Sequence, residues 1–151
     1  MNERLEPLRM TRLASASPEQ VFRALTDENL VPRWFGPNHI NVVHVDLDVR
    51  IGGGCRWEML APDGTLLVLV GKFEIVEPPH RLVWTNAWEH EPHLVSRIDI
   101  NLWPDSAGTL IKVVHENLPE AHAEEAIPGW EDTLDRLAAV AREVTGLRNP
   151  D

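Results

Sequence analysis

His115 and Glu116 stand side by side, and an imidazole next to a carboxylate is a common set of groups for proton transfer. The segment around them, Thr109–Asn117, alternates large and polar residues as a strand does. On a strand, neighbouring side chains point to opposite faces, so the two groups cannot act as one acid–base dyad. His115 is read as an interior or rim histidine, or a polar contact to a ligand, before it is read as a general base. The run His90-Glu91-Pro92-His93 has metal-binding residue types, but its proline and its place between strands predict a solvated turn. His39, His44, His80 and His122 form no ligand-like grouping either, and no metal or cofactor is expected. Cys55 is the only cysteine and lacks a histidine and amide arrangement that would make it a nucleophile. Gly52-Gly53-Gly54 precedes no Gly-Lys-Ser/Thr and no helix, which excludes a phosphate loop and predicts a turn opening a strand. No catalytic residue is assigned, and the balance leans away from an enzyme.

These residues depend on the elements that hold them. Ser17 is expected to cap a helix opened by Pro18, with Gln20 closing a capping box. Residues 5–13 before it alternate weakly and form a first strand. Asp27 is expected to cap a second short helix that stops at Gly36-Pro37. From residue 39 the period becomes two, and six strands follow: His39–Leu47, Cys55–Leu60, Leu66–Val76, Arg81–Trp88, Val95–Trp103 and Thr109–Asn117. The breaks between them are short and rich in Gly, Pro and Asp, so the neighbours are antiparallel. Trp130, Leu134, Leu137, Ala138, Ala141 and Val144 then fall on one helical stripe, with Asp132 and Arg136 paired on the other face. That helix either begins at Pro128 or begins near residue 121 and bends there, and Gly146 is read as its Schellman-type stop. The fold class is α+β: a curved antiparallel sheet of about six to seven strands around a long C-terminal helix, with two short helices after the first strand. A sheet curved around one helix leaves space between them, where small apolar ligands bind.

Alternation assigns the inward face. Cys55, Trp57 and Met59 face the helix, as do Phe73 and Ile75, and Leu82, Trp84, Asn86 and Trp88. Ile98, Ile100 and Leu102 share that face, followed by Ile111, Val113 and His115. The predicted cavity lining is therefore Trp34, Trp57, Met59, Phe73, Trp84, Asn86, Trp88, Ile98, Ile100, Ile111, Val113 and His115, closed by Trp130 and Leu134 from the helix. Asn86 and His115 are polar groups in an apolar interior, so each needs a partner.

The totals narrow the partners. The 151 residues suit one domain, 1–151. Fourteen basic and twenty-four acidic residues give 14 − 24 = −10, which repels phosphate backbones and anionic lipid and excludes nucleic acid and membrane as natural partners. The charged opening Met1-Asn2-Glu3-Arg4-Leu5-Glu6 lacks the apolar stretch of a signal peptide, and a single cysteine fits a reducing cytoplasm. Six tryptophans without a tyrosine build either a heavy core or a wall for an aromatic ligand.

Ala16-Ser17-Pro18-Glu19-Gln20-Val21-Phe22-Arg23-Ala24-Leu25-Thr26, followed by Trp34-Phe35-Gly36-Pro37, resembles the opening of the START-like, helix-grip (SRPBCC) superfamily. The branch it resembles most is the homologues of the activator of the 90-kDa heat-shock protein ATPase (AHSA-type). Further matching pieces are Gly53-Gly54 before Arg56-Trp57-Glu58-Met59, Asp63-Gly64, Pro78-Pro79, Arg81-Leu82-Val83-Trp84-Thr85, Gly108-Thr109, His115-Glu116 and Gly129-Trp130 with Leu134-Asp135-Arg136-Leu137. They run in order over residues 14–141. The resemblance implies a helix-grip fold and three kinds of function. The leading one is binding of a small hydrophobic or aromatic molecule in the cavity. The second is a module that assists a chaperone or another protein partner in stress response. The third is a cyclase- or hydratase-type enzyme using His115 and Asn86 in the same cavity. Homodimers are common in such folds, although no interface is legible here.

Overall fold

The computed structural model describes residues 6–36 and 40–147. Pro37 and His39, which bear on the predicted helix stop and strand start, lie outside the described residues. Seven strands form one antiparallel sheet: β1 (Leu8–Ala14), β2 (Asn41–Leu47), β3 (Gly54–Leu60), β4 (Leu66–Glu77), β5 (Arg81–Trp88), β6 (Ser96–Asp105) and β7 (Gly108–Glu116). The spatial order β1-β7-β6-β5-β4-β3-β2 is a meander whose first strand returns to pair with the last. Helix α1 (Pro18–Thr26) follows β1, and helix α2 (Ala123–Arg142) is the last element, its backbone lying closest to α1 and β1. The α+β class and the sheet around a long C-terminal helix are as the periodicity predicts.

The start of α1 follows from three residues. Ser17 Oγ accepts from the Gln20 amide at 3.1 Å, and the Gln20 side chain accepts from the Ser17 amide at 2.8 Å, a complete capping box with Pro18 at the first helical position. Each bond satisfies an amide that the helix geometry leaves without a partner.

Three local expectations are revised and one open alternative is settled. The second short helix is a single 3-10 turn, Val31–Arg33, because Asp27 is spent as the C-cap of α1 and in a turn that accepts from the Asn29 amide at 2.8 Å. On β4 the register shifts between Phe73 and Ile75, so Ile75 pairs with Val83 on the outer face and Val76 packs on the core instead. Helix α2 starts at Ala123 with Pro128 inside it, which selects the earlier of the two starts. It stops at Arg142 with Glu143 as cap, so Gly146 at φ +78° turns the chain beyond the helix rather than ending it.

The triple glycine is a backbone junction. Gly52 donates to the Phe73 carbonyl at 2.8 Å, Gly53 accepts from the Phe73 amide at 2.9 Å, and Gly54 accepts from the Asp48 amide at 2.9 Å. A Cβ on Gly53 would sit 1.9 Å from the Asp48 carbonyl oxygen, so only glycine fits there. Two of these amides serve the protein itself, Gly52 bonding Phe73 and Gly53 bonding Arg50, which leaves no ring of free donors for a phosphate.

Candidate functional site: a cavity between the sheet and helix α2

The inward positions of β5, β6 and β7 line up by register. Trp84 is opposite Ile98, and Ile98 is opposite His115, so one row of side chains crosses three strands on the helix side. The reverse face carries ion pairs: Arg81 grips Asp99 with two bonds, at 2.8 and 3.1 Å, and Arg97 bonds Glu74 and Glu116 at 2.7 and 3.0 Å. Glu116 thus points away from His115, as adjacent strand residues must.

A cavity of about 230 Å³ lies over this row. Trp84, Asn86, Trp88, Ile98 and His115 border it from the sheet, with Met59 from β3. Trp34 borders it from the segment after the 3-10 turn, and Trp130 from α2. Six other predicted lining residues do not reach it. Trp57, Phe73, Ile100, Ile111, Val113 and Leu134 are buried inward as alternation requires, but they are packed into the core. Trp57 lies flat on Phe35, with ring centres 4.9 Å apart and planes 2° apart, and reaches Trp84 at 6.0 Å. These positions face the right way, and the helices and the 31–36 segment have already filled the space above them.

Several lining residues escaped the sequence reading. Leu69 shares the parity of Phe73 and Ser96 that of Ile98, so strict alternation could have found both. Thr133 sits three residues after Trp130 on the same helical stripe and was equally findable. Leu94, Leu118, Pro119 and His122 lie in connections with no period, and nothing local marks them.

Both interior polar groups have partners. Ser96 Oγ donates to Asn86 Oδ1 at 2.9 Å. Trp130 Nε1 donates to His115 Nδ1 at 3.0 Å, with the rings edge to face, which ties α2 to β7 at the cavity wall. Burial in this apolar wall lowers the His115 pKa from 6.5 to about 4, so the ring is neutral at pH 7. Three cavity groups are not fully satisfied. Trp84 Nε1 and His115 Nε2 are buried without a partner, and His122 Nε2 faces the Glu91 carboxylate at 3.6 Å, just beyond bonding distance. Cys55 packs nearby in the core, and burial pushes its thiol up to about 12, far from the thiolate a nucleophile needs. His90 and His93 sit in the exposed turn after β5. Among the described residues no group of three or more His, Cys, Asp or Glu side chains could hold a metal ion, and no helix is long and apolar enough to cross a membrane.

Comparison with known proteins agrees with this architecture. Residues 15–142 match the family described as Activator of Hsp90 ATPase homolog 1-like protein. A crystal structure of a Chromobacterium violaceum protein is 29% identical, covering 93% of this chain and 100% of its own, with a TM-score of 0.86. One from Nitrosomonas europaea is 26% identical over 91% and 95%, with a TM-score of 0.82. The AHSA1 protein from Silicibacter pomeroyi is 25% identical over 88% and 95%, with a TM-score of 0.77. No functionally curated protein is significantly similar to the chain.

Proposed function

The chain belongs to the Activator of Hsp90 ATPase homolog 1-like family, and from that footing we propose that it binds a small hydrophobic or aromatic molecule in the cavity between the sheet and α2. The observation that carries this reading is the cavity itself: about 230 Å³, walled by Trp34, Trp84, Trp88, Trp130, Met59 and Ile98. An apolar cavity of ~150 Å³ already accommodates benzene, so this volume suits a molecule of one or two rings. Exposed Glu125 stands at its rim and gives it a way to solvent. The single buried thiol and the acidic charge support a setting in the cytoplasm.

The enzyme reading draws less support. A histidine with a pKa near 4 is a weak base at neutral pH, and its Nδ1 is already engaged by Trp130. A role beside a chaperone rests on the family alone, and ATPase assays on that chaperone address it separately. The cavity reading is tested by titrating a panel of planar aromatics and lipids while following tryptophan fluorescence. A saturable change is expected with one- and two-ring compounds; a flat response across the whole panel would reject it.

A further inference from the structure

The cavity reading leaves the ligand's polar chemistry open, and the row Trp84–Ile98–His115 narrows it. Trp84 and His115 flank Ile98 across three neighbouring strands, so their Cα atoms lie roughly 10 Å apart at ~4.8 Å per strand. Both side chains border the same cavity. The Trp84 Nε1–H is buried with no partner, and an indole nitrogen can only donate. The proton on His115 is placed by its neighbour. Trp130 Nε1 can only donate, so His115 Nδ1 must accept, and the neutral ring carries its hydrogen on Nε2. Nε2 is likewise buried and unpartnered. The wall therefore holds two orphaned donors, and a third unpartnered nitrogen, His122 Nε2, faces the Glu91 carboxylate at 3.6 Å. Two further polar atoms nearby are engaged within the protein: Asn86 Oδ1 accepts from Ser96, and Thr133 Oγ1 donates to the Gly36 carbonyl at 3.3 Å. No lysine or arginine lines the cavity, and Glu125 at its rim disfavours an anion.

Building on the cavity-binding reading, we propose that the ligand is an uncharged one- or two-ring molecule bearing a carbonyl-type oxygen, held by hydrogen bonds from Trp84 Nε1 and His115 Nε2. A plain hydrocarbon would leave both donors buried and unpaired. A molecule that only donates would oppose two N–H groups. A carboxylate would lose its water without gaining a cation.

The test uses three naphthalenes of one shape: 2-acetylnaphthalene, 2-isopropylnaphthalene and 2-naphthoate. Each is titrated into the intact protein while the indole N–H resonances are followed by NMR, with the Trp84 signal identified by its loss in Trp84→Phe. The acetyl compound is expected to bind about tenfold or more tighter than the isopropyl one and to move the Trp84 resonance downfield. Trp84→Phe and His115→Phe should each reduce that preference, with far-UV spectra checking their folds. The wild-type comparison needs neither variant. Equal binding of the acetyl and isopropyl compounds with an unmoved Trp84 resonance overturns the donor assignment while the cavity reading survives. Tightest binding of the naphthoate overturns the uncharged class. Saturation by none of the three overturns both readings together.

Discussion

The inward tryptophans divide into two neighbourhoods. At one end, Trp57 is 3% exposed and stacked on Phe35, and buried Trp34, which also borders the cavity, donates its Nε1–H to the Ala24 carbonyl at 2.8 Å. At the other, Trp88 and Trp130 are half-buried, and Trp84 borders open space with its N–H unpaired. The same residue type on the same face of the sheet thus closes a core in one place and leaves room in another. What differs is the covering. Phe35 covers Trp57 and α1 meets Trp34, whereas the cavity lies between Trp84 and Trp88 on the sheet and Trp130 on α2. Burial of an aromatic ring and completion of its hydrogen bonds are separate events, and here they come apart between Trp34 and Trp84.

The sharpest break of this contrast would be a pair of truncations. Trp57→Ala should cost about 3–5 kcal/mol in chemical denaturation, the usual loss for a filled aromatic site. Trp88→Ala, at the cavity, should cost less, about 1–3 kcal/mol, because its ring is only partly buried. Equal losses would abolish the distinction between a filled and an unfilled end.

Acid probes the unfilled end next. The folded His115 pKa, about 4, lies below its ordinary 6.5, so between those values the unfolded chain takes up a proton that the folded one refuses. Stability should therefore decline as pH drops from 6.5 to 4, by up to about 3 kcal/mol from this group. Protonation at Nδ1 would also remove the acceptor for Trp130. Melting curves of the wild type and His115→Phe across that window should diverge toward low pH. Parallel curves would place the histidine in water rather than in the wall.

The finest comparison sets Trp34→Phe against Trp84→Phe. Both shorten a buried indole, but only the first leaves a buried carbonyl without its donor. In the ligand-free protein, Trp34→Phe should be the more damaging by about 1–2 kcal/mol. The reverse order would mean that Trp84 finds a partner the geometry does not reveal.

Much of this was legible because strands and helices imprint different periods. Alternation through Leu82, Trp84 and Asn86, then Ile98 and Ile100, then Ile111, Val113 and His115, placed the inner face correctly on three successive strands. It failed at Ile75 because a bulge is a backbone event, and the residues around Glu74 carry nothing that marks it. It also could not separate Trp57 from Trp84. Parity says which way a side chain points, whereas depth depends on what long-range packing sets above it. The partners of Asn86 and His115 came from 10 and 15 residues away, Ser96 and Trp130, and neither pairing follows from a local pattern.

Pro128 has a last consequence for how anything reaches the interior. It has no N–H to give to the Glu124 carbonyl, so the opening turn of α2 is tied to the rest of the helix by one bond fewer. That turn carries Glu125 and Ala126 of the cavity rim, while the deeply buried Leu134, Leu137 and Ala141 anchor the later turns. Amide protons in the opening turn should thus exchange with solvent much sooner than those around Leu137. Under the proposed binding role, a guest would come and go by the fraying of a single helical turn, on a clock independent of the unfolding of the sheet.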